Sequence, residues 1–195
     1  FKATLGSPNT LSLSPNTTLI VWTSKVFAPA GNVTVHGNGF GTDRDGTVKL
    51  YATSTWSSSG TETHTIGGNF YAASGASIAP ANSTFVFSAT TSGKSIAASS
   101  SLTFYNLTLN GTNGTWDIGG VGTTSNDLLM SAGTTTLPSA TLAVGGTFDA
   151  NGGVFFHNGG TVKFISTASG KNIRATGSSF NELQFSGSGG GWTFL

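Results

Sequence analysis

The sequence predicts an all-β chain wound as a parallel β-solenoid of short coils. Three observations carry that expectation: apolar and polar residues alternate with period two in many short runs, Gly- and Asn-rich punctuation separates the runs, and an imperfect unit of about 77 residues recurs.

The alternation appears in Gly46-Thr47-Val48-Lys49-Leu50, Thr84-Phe85-Val86-Phe87, Leu102-Thr103-Phe104, Leu107-Thr108-Leu109, Thr161-Val162-Lys163-Phe164-Ile165 and Leu183-Gln184-Phe185. Apolar residues at every second position line one face of a strand, and the Thr, Lys and Gln between them face water. Thr, Val, Ile, Phe and Tyr fit a pleated, half-buried surface better than a helix. Asp45-Gly46, Asn110-Gly111, Asn113-Gly114 and Asn151-Gly152 read as tight turns, since these residues accept positive φ. No window offers an uninterrupted apolar stripe at helical spacing, so almost no helix is expected.

The repeat rests on five anchors in order. Ile66-Gly67-Gly68-Asn69-Phe70 returns as Val144-Gly145-Gly146-Thr147-Phe148, and Ser83-Thr84-Phe85-Val86-Phe87 as Gly160-Thr161-Val162-Lys163-Phe164. Ser92-Gly93-Lys94 returns as Ser169-Gly170-Lys171, Phe104-Tyr105-Asn106-Leu107 as Phe180-Asn181-Glu182-Leu183, and Gly114-Thr115-Trp116 as Gly190-Gly191-Trp192. The units span residues 66–118 and 144–195, within a solenoid over 61–195; residues 1–60 form a β-rich segment, either leading coils or the end of a preceding module.

Two architectures use many short strands with Gly-rich turns. An antiparallel, Ig-like β-sandwich is the alternative, but arrays of such domains repeat at about 100 residues. Three or four coils of about 20 to 25 residues fill the shorter period, which favours the solenoid. The chain does not open on Met and closes in an apolar strand-like run, which reads as a segment of a longer repeat protein.

Composition narrows the function classes. Eight Lys+Arg against seven Asp+Glu leave a formal charge of +1, and only 8% of residues are charged. No basic run exists to displace counterions from phosphate or to hold an anionic bilayer, so neither a nucleic-acid partner nor membrane insertion is expected. With no Cys, disulfides and thiolate chemistry are excluded. In a stacked coil, charges about 4.8 Å apart repel one another, whereas Ser, Thr and Asn hydrogen-bond down a face, so low charge follows from stacking. Ser, Thr, Gly and Asn richness at low charge points to an extracellular or cell-surface location. Open strand edges at the ends of a coil stack make end-to-end association with further copies an expected partner mode.

Chemistry-bearing residues are sparse. Trp22 and Trp56 are candidates to stack on carbohydrate rings, while the paired Trp116 and Trp192 read as core. Asp43 and Asp45, in Asp43-Arg44-Asp45-Gly46, form a weak calcium candidate that lacks a third ligand and a distal Glu; a turn is the simpler reading. Glu62 and His64 lie two apart on one strand face, a spacing open to acid/base or metal chemistry, but a solvated strand face is the favoured reading. Asp117, Asp127, Asp149 and Glu182 are scattered, and no Gly-x-Ser-x-Gly elbow occurs. No catalytic residue and no cofactor is assigned, and Gly67-Gly68 and Gly187 to Gly191 read as turns, not phosphate cradles.

The units Phe104-Tyr105-Asn106-Leu107-Thr108-Leu109, Gly68-Asn69-Phe70 and Gly187-Ser188-Gly189-Gly190-Gly191-Trp192-Thr193-Phe194 resemble repeats of very large bacterial surface proteins, similar to the β-helices of filamentous haemagglutinins and autotransporter passengers. The resemblance covers about Thr61 to Leu195. It implies an extracellular structural or adhesive role, with surface glycans as possible partners, and carries no catalytic residue across. The stretch from Gly31 to Gly41 is instead similar to Ig-like surface modules. A structural or adhesive rod is therefore the leading functional expectation, and a carbohydrate-binding or polysaccharide-cleaving β-helix is the alternative.

Overall fold

The computed structural model describes residues 10–37 and 45–195, and these residues form strands and no helix. Every ladder among them is parallel, so the chain is a β-solenoid of about eight turns and not a sandwich of antiparallel layers. The strands fall into sheets of fourteen, five and three members. The Asn32–Val35 strand, within the stretch that resembles Ig-like modules, pairs in parallel with Thr10–Leu13 before it and Thr63–Ile66 after it.

Strand alternation becomes a stack of interior columns. Val33, His64, Phe85, Leu107, Leu128, Phe148 and Ile173 lie in register one above another, and all are fully buried. Their neighbours Thr34, Thr65, Val86 and Thr108 form a half-exposed column on the same sheet. A parallel stack presents the same face at each level only if every coil keeps the parity of its strand, so a period of two in sequence becomes inside and outside in space. Phe70, Phe85, Phe87 and Phe104 meet edge to face at centroid separations of 5.0 to 6.4 Å, the arrangement favoured by ring quadrupoles.

The repeat anchors keep the same pairings but lie on different faces of the solenoid, Phe85 on the fourteen-stranded sheet and its counterpart Val162 on the five-stranded one. Phe70 lies beside Ile96 and Phe148 beside Ile173, while Phe85 pairs with Leu107 and Val162 with Leu183. Lys94 faces Trp116 across one ladder and Lys171 faces Trp192 across another. Each anchor pair is thus a contact between consecutive coils.

Polar corners are also laddered. The Asn32 side-chain carbonyl accepts from the Thr63 N–H at 2.8 Å, Asn69 from the Ser95 N–H at 2.9 Å, and Asp127 from the Thr147 N–H at 2.8 Å. Asn126 Nδ2 donates to Asn106 Oδ1 at 2.8 Å, and Asn106 Nδ2 donates to Thr84 Oγ1 at 3.2 Å. The first three of these bonds satisfy backbone N–H groups that the ladder leaves open, and the last two join side chains of successive coils. Asn110-Gly111 and Asn113-Gly114 are not separate tight turns: they form an irregular bend inside the Asn106–Asp117 strand, where the pairing register shifts and Asn113 takes φ 63°.

Candidate functional site

One outer face differs from the half-exposed Thr column. Ile20, Lys49, Tyr71 and Ala97 lie in register on consecutive coils, on strands whose inward residues are Val48, Phe70 and Ile96. Backbone bonds from Tyr51 N–H to Val21, Ala73 N–H to Leu50 and Ser99 N–H to Ala72 continue the stacking one step beyond each strand, aligning Trp22, Tyr51, Ala73 and Ser99. Trp22, 61% exposed, stacks on Tyr51 with centroids 4.7 Å apart and planes 16° apart. Lys49 Nζ lies 5.9 Å from the centre of the Tyr71 ring, a cation–π distance. Beside these rings, Ala73, Ala97 and Ser99 leave a recess of about 490 Å³. Sequence reasoning missed Lys49, Tyr51 and Tyr71; the alternation marks them as outward-facing, but their adjacency depends on the coil length.

The two candidate stacking tryptophans separate. Trp22 faces water. Trp56 does not: it is fully buried between Phe27 and Phe85, with centroids 4.9 and 5.3 Å away, and cannot offer a face to a sugar. Its strand, Thr55–Ser57, turns the central residue inward, in register with Phe27 and Ile78. Trp116 is buried as expected, whereas Trp192 is half-buried. Of the calcium candidates, Asp43 lies outside the described residues, and Asp45 is fully buried. Among the described residues, no three of His, Asp and Glu gather as a metal-binding group.

Glu62 and His64 take different surroundings. The Glu62 carboxylate accepts from the Gly60 N–H at 2.8 Å, from the Ser59 N–H at 3.1 Å and from the Ser59 hydroxyl. Burial acts to raise its pKa, but these hydrogen bonds together outweigh it and hold the carboxyl below its ordinary value. His64 points inward, with Nε2 3.0 Å from Ser58 Oγ and the ring packed on Trp56 and Phe85 at 5.0 and 4.9 Å. Its Nδ1 has no hydrogen-bond partner, so Ser58, His64 and Glu62 do not form a relay in which an acid orients the imidazole. Elsewhere His36 Nε2 lies 3.2 Å from Ser12 Oγ, and His157 Nδ1 accepts from the Gly159 N–H. Asp149 faces Arg174 at 3.8 Å, a partly exposed pair of small energetic weight.

Burial pushes the His64 pKa down to about 4, with the Glu62 charge opposing only in part. The folded chain therefore holds His64 neutral while an unfolded chain, with the ordinary value of 6.5, binds a proton. Stability from this group is complete above pH 6.5 and is lost as pH falls to about 4, a loss on the order of 3 kcal/mol. Glu62, whose pKa is lowered from 4.5, adds its loss only as pH falls below that value. Urea titrations between pH 7 and 4 are expected to show this slope, and His64→Leu, which matches the Leu107 and Leu128 positions of the column, is expected to flatten it above pH 4.5. An unchanged slope in the variant would place the acid sensitivity elsewhere.

The fold and this face define the described residues as a parallel β-solenoid that carries an aromatic recess on its outer surface. No protein-family model, curated protein or solved structure matches the chain.

Proposed function

We propose that the chain is a structural and adhesive segment of a secreted or cell-surface repeat protein, acting as a rigid β-rod. The observation that supports this reading best is the parallel ladder, which runs coil on coil from Thr10–Leu13 to Trp192–Phe194. Each coil adds about 4.8 Å of length and contacts only its neighbours, so length scales with coil number and stiffness comes from main-chain bonds. A half-exposed Thr column and Asn-lined corners present hydroxyls and amides along the rod. The likeness to bacterial surface repeats agrees with an extracellular setting. Antibodies raised against this chain should label intact cells of the source organism, and external protease should remove the signal. Labelling confined to permeabilised cells would rule out a surface role.

A further inference from the structure

We propose that the recess beside Tyr51 and Tyr71 binds an acidic oligosaccharide, its sugar rings stacked on the tyrosines and its anionic group held by Lys49. This goes beyond the scaffold reading, which stands whether or not the recess is occupied.

The geometry follows from the fall in side-chain size along the rod. Trp22 and Tyr51 sit on adjacent coils with nearly parallel rings, so their stack runs along the axis. One face of Tyr51 is covered by Trp22. The other looks toward the next coil, where the aligned residue is only Ala73, followed by Ser99. Tyr71 is placed the same way, with Lys49 on one side and Ala97 on the other. Two aromatic walls thus border a floor of small residues. The volume of about 490 Å³ lies within the roughly 300 to 1,000 Å³ of small-molecule sites.

The chemistry selects the occupant. A pyranose offers a C–H face to an aromatic ring and hydroxyls at its edge, matching the rings of Tyr51 and Tyr71 and the hydroxyls of Tyr51, Tyr71 and Ser99 that line the recess. Lys49 is the one charged residue lining the recess, and no carboxylate lines it. Its ammonium lies over the Tyr71 ring with no anionic partner among the described residues, a contact at an exposed site that a carboxylate or sulfate can displace. A purely apolar peptide would leave that charge unmatched.

Calorimetric titration of the intact chain with a hyaluronan hexasaccharide (carboxylate), a heparin hexasaccharide (sulfate) and neutral maltohexaose tests the assignment. At least one acidic hexasaccharide should bind, tenfold or more tighter than maltohexaose, with affinity falling as salt rises. Tyr71→Ala should weaken binding at least tenfold. Lys49→Gln should bring the acidic ligand to the level of maltohexaose and remove the salt dependence. Phe156→Ala, exposed on another part of the rod, should bind as the parent does. Melting curves establish that each variant is folded. Absence of binding by all three sugars, equal binding of acidic and neutral sugars, or indifference to both Tyr71→Ala and Lys49→Gln would overturn the proposal. So would concentration-dependent dimerisation abolished by Trp22→Ala, which would assign the face to a second copy of the chain.

Discussion

Trp116→Ala is expected to destabilise the chain by about 4 kcal/mol, the cost of removing a buried indole from a packed core. Trp116 is 1% exposed, meets Phe87 at 5.1 Å, and stands between Lys94 and Thr135 in the ladders. Because a coil touches only its neighbours, the loss should appear first as faster amide exchange in Asn106–Asp117, Lys94–Ala98 and Leu128–Thr136. Urea titration with exchange mapping measures both effects. The indole N–H of Trp116 has no acceptor, so Trp116→Phe gives up no hydrogen bond and should cost less than half as much. At half-buried Trp192, Ala should also cost less. Equal losses at Trp116 and Trp192 would mean that burial does not set the energetics of the repeat.

Gly68→Ala should cost about 3 kcal/mol or more, at the upper end for overpacking, because the obstacle is backbone. An added Cβ would stand 1.7 Å from the Asp45 carbonyl oxygen and 2.8 Å from the Gly46 carbonyl carbon. Neighbouring coils touch main chain to main chain at this corner. A Cβ on Gly146, the counterpart of Gly68, would meet the Asp127 carboxylate at 2.3 Å and the Asn126 carbonyl carbon at 2.7 Å. Gly67 and its counterpart Gly145 would meet main-chain atoms of Gly37 and Ser125 at 2.2 and 2.0 Å, so every member of the recurring Gly-Gly pair stands where a neighbouring coil leaves no room for a Cβ. Gly60→Ala, with nothing within 4 Å of the added carbon, should change stability by no more than about 0.5 kcal/mol. Thermal and urea melts compare the two. Similar melts for Gly68→Ala and Gly60→Ala would show that the corner yields, and that close approach is not what the glycines provide.

The recurring Lys and Trp were legible as a repeat because each copy answers the same local demand: in both, Lys lies across a ladder from Trp. The alternation of Thr84–Phe87 was legible for a similar reason, since Phe85 and Phe87 must share a face wherever the strand goes. The two tryptophans were not. Trp22 in Val21-Trp22-Thr23-Ser24 and Trp56 in Ser54-Thr55-Trp56-Ser57 both have Thr and Ser beside them, and that composition does not tell the ring that turns outward past the end of Thr18–Val21 from the one that turns inward within Thr55–Ser57. The bend at Asn110 to Gly114 was hidden likewise, because residues suited to a turn also suit a register shift inside a strand.

Strand content, parity, turn chemistry and the recurring unit are written locally, in side-chain shape and spacing, and they suffice to specify a coil. Which coil residues become neighbours depends on how many residues each turn consumes: Thr63 meets Thr84, but Val33 meets His64 across a much longer excursion. That count is set by corner packing over the whole stack. It places Lys49, Tyr51 and Tyr71 around one recess, seals Trp56 inside, and leaves His64 neutral in an apolar column, because contacts between coils arise from winding and not from proximity along the chain.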